Sequence, residues 1–181
     1  SPTIASYISL KRNNKVKNLK EWLKKIFDIK HNIWTYVLVI LFVLIYYVLG
    51  CAINGFEFGA PIFMLIVILP MMLFGGGNEE VGWRMILQPE LEKKFGFHIA
   101  TIFTFIIWWL WHLPIFFIIG TANANMNYFL FGIMCLTLCY ALATIRKVSK
   151  GVFPCILTHC LINGLSAIFV FTALFSAFVT V

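Results

Sequence analysis

The run Ile33-Trp34-Thr35-Tyr36-Val37-Leu38-Val39-Ile40-Leu41-Phe42-Val43-Leu44-Ile45-Tyr46-Tyr47-Val48-Leu49-Gly50-Cys51-Ala52-Ile53 contains no charged residue and has the length of a helix that crosses a bilayer. Trp34 and Tyr36 stand at one end of it, as interfacial anchors do. Apolar runs of the same kind recur through the chain, at Pro61 to Phe74, Phe97 to Ile119, Tyr128 to Ile145, Val152 to Ser166 and Ala167 to Val181. The whole sequence of 181 residues is 61% hydrophobic and only 12% charged, with a mean hydropathy of +0.92. That excludes an ordinary soluble domain. The fold class expected is all-α, a polytopic membrane helix bundle with about five to six membrane helices.

Charge is distributed as such a bundle requires. Eight of the fourteen Lys and Arg residues (Lys11, Arg12, Lys15, Lys17, Lys20, Lys24, Lys25, Lys30) precede the first long apolar run. The net charge of +7 is therefore a positive-inside signature rather than a nucleic-acid face, and anionic lipid is the expected partner. Leu19, Trp22, Leu23, Ile26 and Phe27 recur at helical spacing among those lysines, which predicts a basic helix lying on the cytoplasmic leaflet. Basic loops (Lys93-Lys94; Arg146, Lys147, Lys150) alternate with loops free of Lys and Arg (residues 54–60 and 120–127), so the topology is self-consistent. Residues 1–32 form the basic amphipathic segment, with residues 1–10 resembling the tail of an earlier helix; residues 33–181 form the membrane domain. The five cysteines (Cys51, Cys135, Cys139, Cys155, Cys160) lie in apolar stretches without CxxC spacing and are expected to be small buried hydrophobes.

Against this apolar background the stretch Asn78-Glu79-Glu80-Val81-Gly82-Trp83-Arg84 stands out. Charged groups at membrane depth cost about 2.5–3.5 kcal/mol each on insertion scales, so they face a cavity and mark a functional site. On a helix Glu80 pairs with Arg84 one turn later, which leaves the oxygens of Glu79 free. A free carboxylate in a pocket of low dielectric suits a general base that activates water. Gly75-Gly76-Gly77, just before it, lets a helix break or another backbone approach closely. An ordinary acidic helix start would show the same pattern.

Two later apolar segments carry polar residues. His112 follows Trp108 by one turn in Trp108-Trp109-Leu110-Trp111-His112-Leu113-Pro114, and Pro114 predicts a kink. His159 and Asn163, four apart, share one helical face and together offer donors for an oxyanion. Each of these is equally readable as interhelical glue; their joint occurrence favours one shared site. His112 stands roughly 22 Å along its helix from Phe97 at ~1.5 Å per residue, so tilt or the kink has to bring it level with Glu79. The expected result is a hydrogen bond or a one-water bridge between Glu79 and His112 or His159.

The string Glu79-Glu80-Val81-Gly82-Trp83-Arg84 with Leu87-Gln88-Pro89, then Trp108-x-x-x-His112-Leu113-Pro114, then His159-x-x-x-Asn163 resembles the CPBP intramembrane protease family. That family contains the type II CAAX prenyl endopeptidases and bacterial abortive-infection and bacteriocin-immunity proteins. The resemblance covers residues 75–170. It implies a multi-pass cell-membrane hydrolase acting on a peptide or lipidated protein, in a cavity reached from the cytoplasmic side. Glu79 would activate water with His112, His159 and Asn163 would hold the oxyanion, and Glu80, Arg84 and Trp108 would shape the site. Trp108 stands where the family has phenylalanine. A divalent metal such as zinc on Glu79, His112 and His159 is compatible with these residue types, although no HExxH occurs, and a metal-free hydrolase is equally open. Two other classes compete: a non-catalytic immunity or scaffold protein, and a transporter built on broken helices.

Overall fold

The computed structural model describes residues 1–172. It is a helical membrane bundle. Helix α1 (Pro2–Arg12) and α2 (Leu19–Ile26) precede α3 (Ile33–Asn54), and strand β1 (Phe56–Phe58) leads through a short 3-10 turn into α4 (Leu65–Phe74). A 3-10 turn over Gly77–Glu79, the single turn α5 (Glu80–Gly82) and a π turn over Trp83–Leu87 carry the acidic stretch into α6 (Gln88–His112). Helices α7 (Tyr128–Ser149) and α8 (Phe153–Ser166) and strand β2 (Phe169–Phe171) follow. By length and composition Ile33–Asn54, Ile62–Phe117 and Tyr128–Ser149 are able to cross a membrane, and Phe153–Ser166 is a shorter apolar helix.

In α3 the buried positions are Thr35, Val39, Val43 and Tyr47, one per turn, while Val37, Ile40, Leu41, Leu44, Ile45 and Val48 are exposed. A helix apolar on every side that buries only one stripe turns the remainder to lipid. Asn32 caps its start by accepting from the Trp34 N–H at 3.0 Å. Gly55, at φ 65°, ends it. Its inner stripe is fixed to α8 where the Tyr47 hydroxyl donates to the Ile162 carbonyl at 2.5 Å.

The expected third span starts where predicted, because Gly96 (φ 75°, ψ 175°) divides α6 into an arm carrying Lys93 and Lys94 and a membrane helix from Phe97. That helix ends at His112 and passes into a 3-10 turn over Leu113–Phe117 around Pro114. The last apolar run departs from a purely helical architecture. Helix α8 stops at Ser166, and β2 pairs antiparallel with β1 in the register Phe56↔Phe171, Glu57↔Val170, Phe58↔Phe169. Alternating aromatic residues in both segments suit a pleated pair better than one more helical turn. Residues 173–181 lie outside the described residues.

Helices α1 and α2 join the bundle. Leu10, Val16, Trp22 and Ile26 share one buried cluster with Val81, Val152, Ile156 and Cys160. The Thr3 hydroxyl donates to the Asn78 carbonyl at 2.9 Å, so α1 braces the acidic stretch. Lys15 contacts Glu90 at 3.1 Å and Lys93 contacts it at 2.7 Å. These two lysines hold the Glu90 carboxyl below the usual carboxylate range. The tie is present at neutral pH and is lost as the pH falls through that depressed value; at an exposed position it contributes little.

The π turn has a readable cause. The Gln88 N–H reaches back five residues to the Trp83 carbonyl, and Pro89, next in register, has no N–H to offer Arg84. The Arg84 carbonyl is satisfied from another helix, by the Arg146 Nε at 2.9 Å. Arg146→Met is expected to leave that carbonyl unpaired and to cost about 1–3 kcal/mol, read as a lowered thermal midpoint. Arg146→Lys, which retains a donor, is expected to recover part of it.

Candidate active site

Four segments meet at mid-bundle: the acidic stretch between α4 and α6, the end of α6, α8, and the inner face of α7. Glu80 and Arg84 are both fully buried, with Arg84 Nε on Glu80 Oε2 at 3.0 Å. This is the i, i+4 pair expected from spacing. Arg84 places its remaining nitrogens on Gln88 Oε1 (3.2 Å) and the Cys139 sulfur (3.2 Å). Gln88 in turn donates to Thr101 Oγ1 at 3.1 Å. Burying two charges costs several kcal/mol each unless every donor and acceptor is matched, and here the guanidinium is held on three sides. Cys135, Cys139, Cys155 and Cys160 are buried and free, as expected, while Cys51 is half-buried. Cys139 does more than fill space, since it accepts from Arg84.

The other oxygen of Glu80 meets His159. Glu80 Oε1 lies 2.8 Å from His159 Nδ1. A carboxylate only accepts, so Nδ1 carries a proton and Nε2 is the free nitrogen. It faces Gly76 together with the Asn163 amide: a Cβ built on Gly76 would lie 3.1 Å from His159 Nε2 and 2.7 Å from Asn163 Nδ2. The two side chains thus converge as expected, and the glycine is what lets the backbone pass this close.

Glu79 differs from expectation. Its oxygens are bonded rather than free: Oε2 accepts from Trp108 Nε1 at 3.0 Å and, at a longer 3.4 Å, from Trp83 Nε1, and Oε1 accepts from Trp111 Nε1 at 3.2 Å. Of the two arrangements expected, a direct hydrogen bond or a one-water bridge, the direct bond from Glu79 to His112 or His159 is not formed. Trp108 intervenes, with its ring edge-on to His112 (5.5 Å between centroids) and to His159 (5.4 Å). His112 directs Nδ1 to the Trp108 carbonyl at 2.8 Å, which fixes Nδ1 as donor and leaves Nε2 as acceptor. Depth is not an obstacle: α4 ends at Phe74, and the acidic stretch is level with Trp108, well up α6.

A cavity of about 520 Å³ is lined by Gly75, Trp108, His112, Cys135, His159 and Asn163. Its wall continues to Asn123, Met126 and Ser166. These belong to the loop after α6 and to the end of α8. As ligands for a divalent ion, Glu79, His112 and His159 do not fit. Among the described residues no group of three His, Cys, Asp or Glu side chains is placed to hold a metal. Glu79 turns its oxygens to indole donors rather than toward the Nε2 atoms of the two histidines.

Trp83 and Gln88 stand in the quoted motif without an assigned role, and Trp111 and Arg146 were not read as site residues. Tryptophans near a span end read as interfacial anchors and Arg146 as a topogenic charge. The i, i+4 spacing of Trp83 from Glu79 and Gln88 from Arg84 was the available signal.

Comparison with known proteins bears on the family of the chain. Residues 30–165 match the family described as type II CAAX prenyl endopeptidase Rce1-like. The chain is similar to CAAX prenyl protease 2 of Methanococcus maripaludis, at 25% identity over 86% of this chain and 64% of that protein. It therefore spans somewhat less than two thirds of that relative. No solved structure matches it. Matched over well more than half its length, the chain belongs to the type II CAAX prenyl endopeptidase Rce1-like family.

Proposed function

We propose that this protein is an intramembrane endopeptidase that hydrolyses a peptide bond of a lipidated, CAAX-like protein substrate with a water activated by Glu79. The observation that carries the reading is the division of labour between adjacent acids. Glu80 is spent on Arg84 and His159, while among the described residues Glu79 is held only by indole nitrogens. Those donors cannot take a proton from water and a carboxylate can. Water bound to Glu79, with His112 Nε2 as a second acceptor, gives up a proton to the carboxylate as its oxygen attacks the scissile carbonyl carbon. The carbonyl oxygen takes up the negative charge, and His159 Nε2, in its protonated form, and Asn163 Nδ2 donate to it. The Glu80 carboxylate on His159 Nδ1 orients the ring and balances its charge. The C–N bond then breaks as Glu79 returns its proton to the leaving amine.

The exposed lysines Lys20, Lys24 and Lys25 of α2 place a basic face toward anionic lipid in this reading. The test is cleavage by the purified protein in vesicles of phosphatidylcholine and phosphatidylglycerol, offered a farnesylated CAAX peptide and, separately, a transmembrane peptide. Mass spectrometry is expected to show one new C-terminus on the farnesylated peptide. His159→Ala is expected to slow its appearance by about 10²-fold, as loss of an oxyanion donor does. No cleavage of either peptide, with the cellular phenotype of the Glu79→Ala variant unchanged, would leave the immunity or scaffold reading in possession.

A further inference from the structure

The indole cradle assigns a finer role than the reading above, on which it rests. Carboxylate oxygens offer about four lone-pair sites in all. Trp83 and Trp108 both donate to Oε2 of Glu79, and Trp111 alone donates to Oε1. We infer that Oε1 of Glu79 is the atom that takes the proton from water, and that Trp111 is the positioning residue that holds this oxygen in place. Among the described residues, the one acceptor site left without a donor lies on Oε1, beside the indole of Trp111.

The residue types fit the task. Indole nitrogen only donates and does not titrate, so it steers a carboxylate without competing for the proton. The three tryptophans are not equivalent. Trp108 is buried, faces both histidines and lies beneath the Arg84 guanidinium at 5.8 Å, so its loss would disturb the whole site. Trp83 is buried and makes the longest of the three bonds. Trp111 is 47% exposed. Its indole nitrogen bonds only Glu79 among the described residues, and its ring meets Trp83 edge-on at 6.2 Å. Behind the Trp83–Trp111 pair, a groove of about 490 Å³ separates these rings from Pro2, Ala5 and Ser9 of α1. Trp111 therefore has room to lose its N–H, or even its ring, without a packed core collapsing around it.

The experiment replaces Trp111 with 3-benzothienylalanine, which retains the ring shape and lacks only the N–H, and in parallel with phenylalanine. Turnover of the farnesylated CAAX peptide is measured in vesicles. Both variants are expected to lower kcat about 10-fold, the order of loss when a reacting group is held less well in place, while KM and the thermal midpoint stay at wild-type values. An isostere with wild-type kcat overturns the inference, whether or not phenylalanine is slow, because the ring and not its N–H would then matter. So does a fall in kcat matched by a fall in thermal midpoint. A second readout does not need turnover: the Trp111 indole N–H resonance in 15N-labelled protein is expected to shift on Glu79→Ala. An unmoved resonance contradicts the bond itself. If Glu79→Gln cleaves as wild type, the proposed base fails; if it is dead while the Trp111 isostere is unimpaired, only the role of Trp111 fails.

Discussion

Exchanging Arg84 for methionine is expected to destabilise the protein by about 3–5 kcal/mol, the cost of leaving a buried partner charge uncompensated. The guanidinium has no exposure to solvent and joins Glu80, Gln88 and Cys139. Removing it strands the Glu80 carboxylate in the bundle with only His159 beside it. The variant should accumulate poorly in membranes and unfold at a lower temperature in detergent. Adding Glu80→Gln should restore a large part of that stability, since the double variant leaves no carboxylate stranded in the bundle. It should restore no activity, because His159 has then lost the carboxylate that orients it. A wild-type thermal midpoint for Arg84→Met would show that the pair contributes nothing and that the site is not dry.

The second large effect is on chemistry alone. Glu79→Gln is expected to lower kcat/KM by about 10²–10⁴-fold, the range of a lost general base, with little change in thermal midpoint. The new amide is nearly the same size but carries an NH2 group. With its oxygen placed between Trp83 and Trp108, the NH2 confronts the Trp111 N–H, donor against donor; flipped, it confronts the other two. Either way the cradle loses at least one bond, and the group left beside the open site cannot take a proton. Retained turnover in this variant, measured beside an Arg84→Met control of known instability, would remove Glu79 from the mechanism.

Much of this arrangement is legible in the sequence, and the limits are physical. Glu80 with Arg84, and His159 with Asn163, were readable because a helix places residues four apart on one face, so chain neighbours decide the contact. The junction of His159 with Glu80, 79 residues apart, depends on how α8 crosses the acidic stretch, and local spacing says nothing about that. Crossing geometry also decides which donors meet the oxygens of Glu79. Trp108 and Trp111 reach it from the end of α6, and tryptophan in an apolar span carries no mark that separates a ligand of a carboxylate from an interfacial anchor. Arg146 illustrates the same limit, since its topogenic charge hides a hydrogen bond to a carbonyl that Pro89 leaves vacant. The bundle itself followed from long uncharged runs. The β1–β2 pair did not, because three-residue strands carry too little alternation to be distinguished from helix.

The central claim, that Glu79 delivers a water molecule to a peptide bond inside the bundle, is tested most directly by a single turnover of the farnesylated CAAX peptide in H2(18)O. The account predicts one heavy oxygen in the newly formed C-terminal carboxylate of the product and none in Glu79 after digestion of the enzyme. Label found in the Glu79 side chain would mean that the carboxylate attacks the substrate itself, and cleavage with no label in the product would mean that water is not the nucleophile; either result contradicts the account.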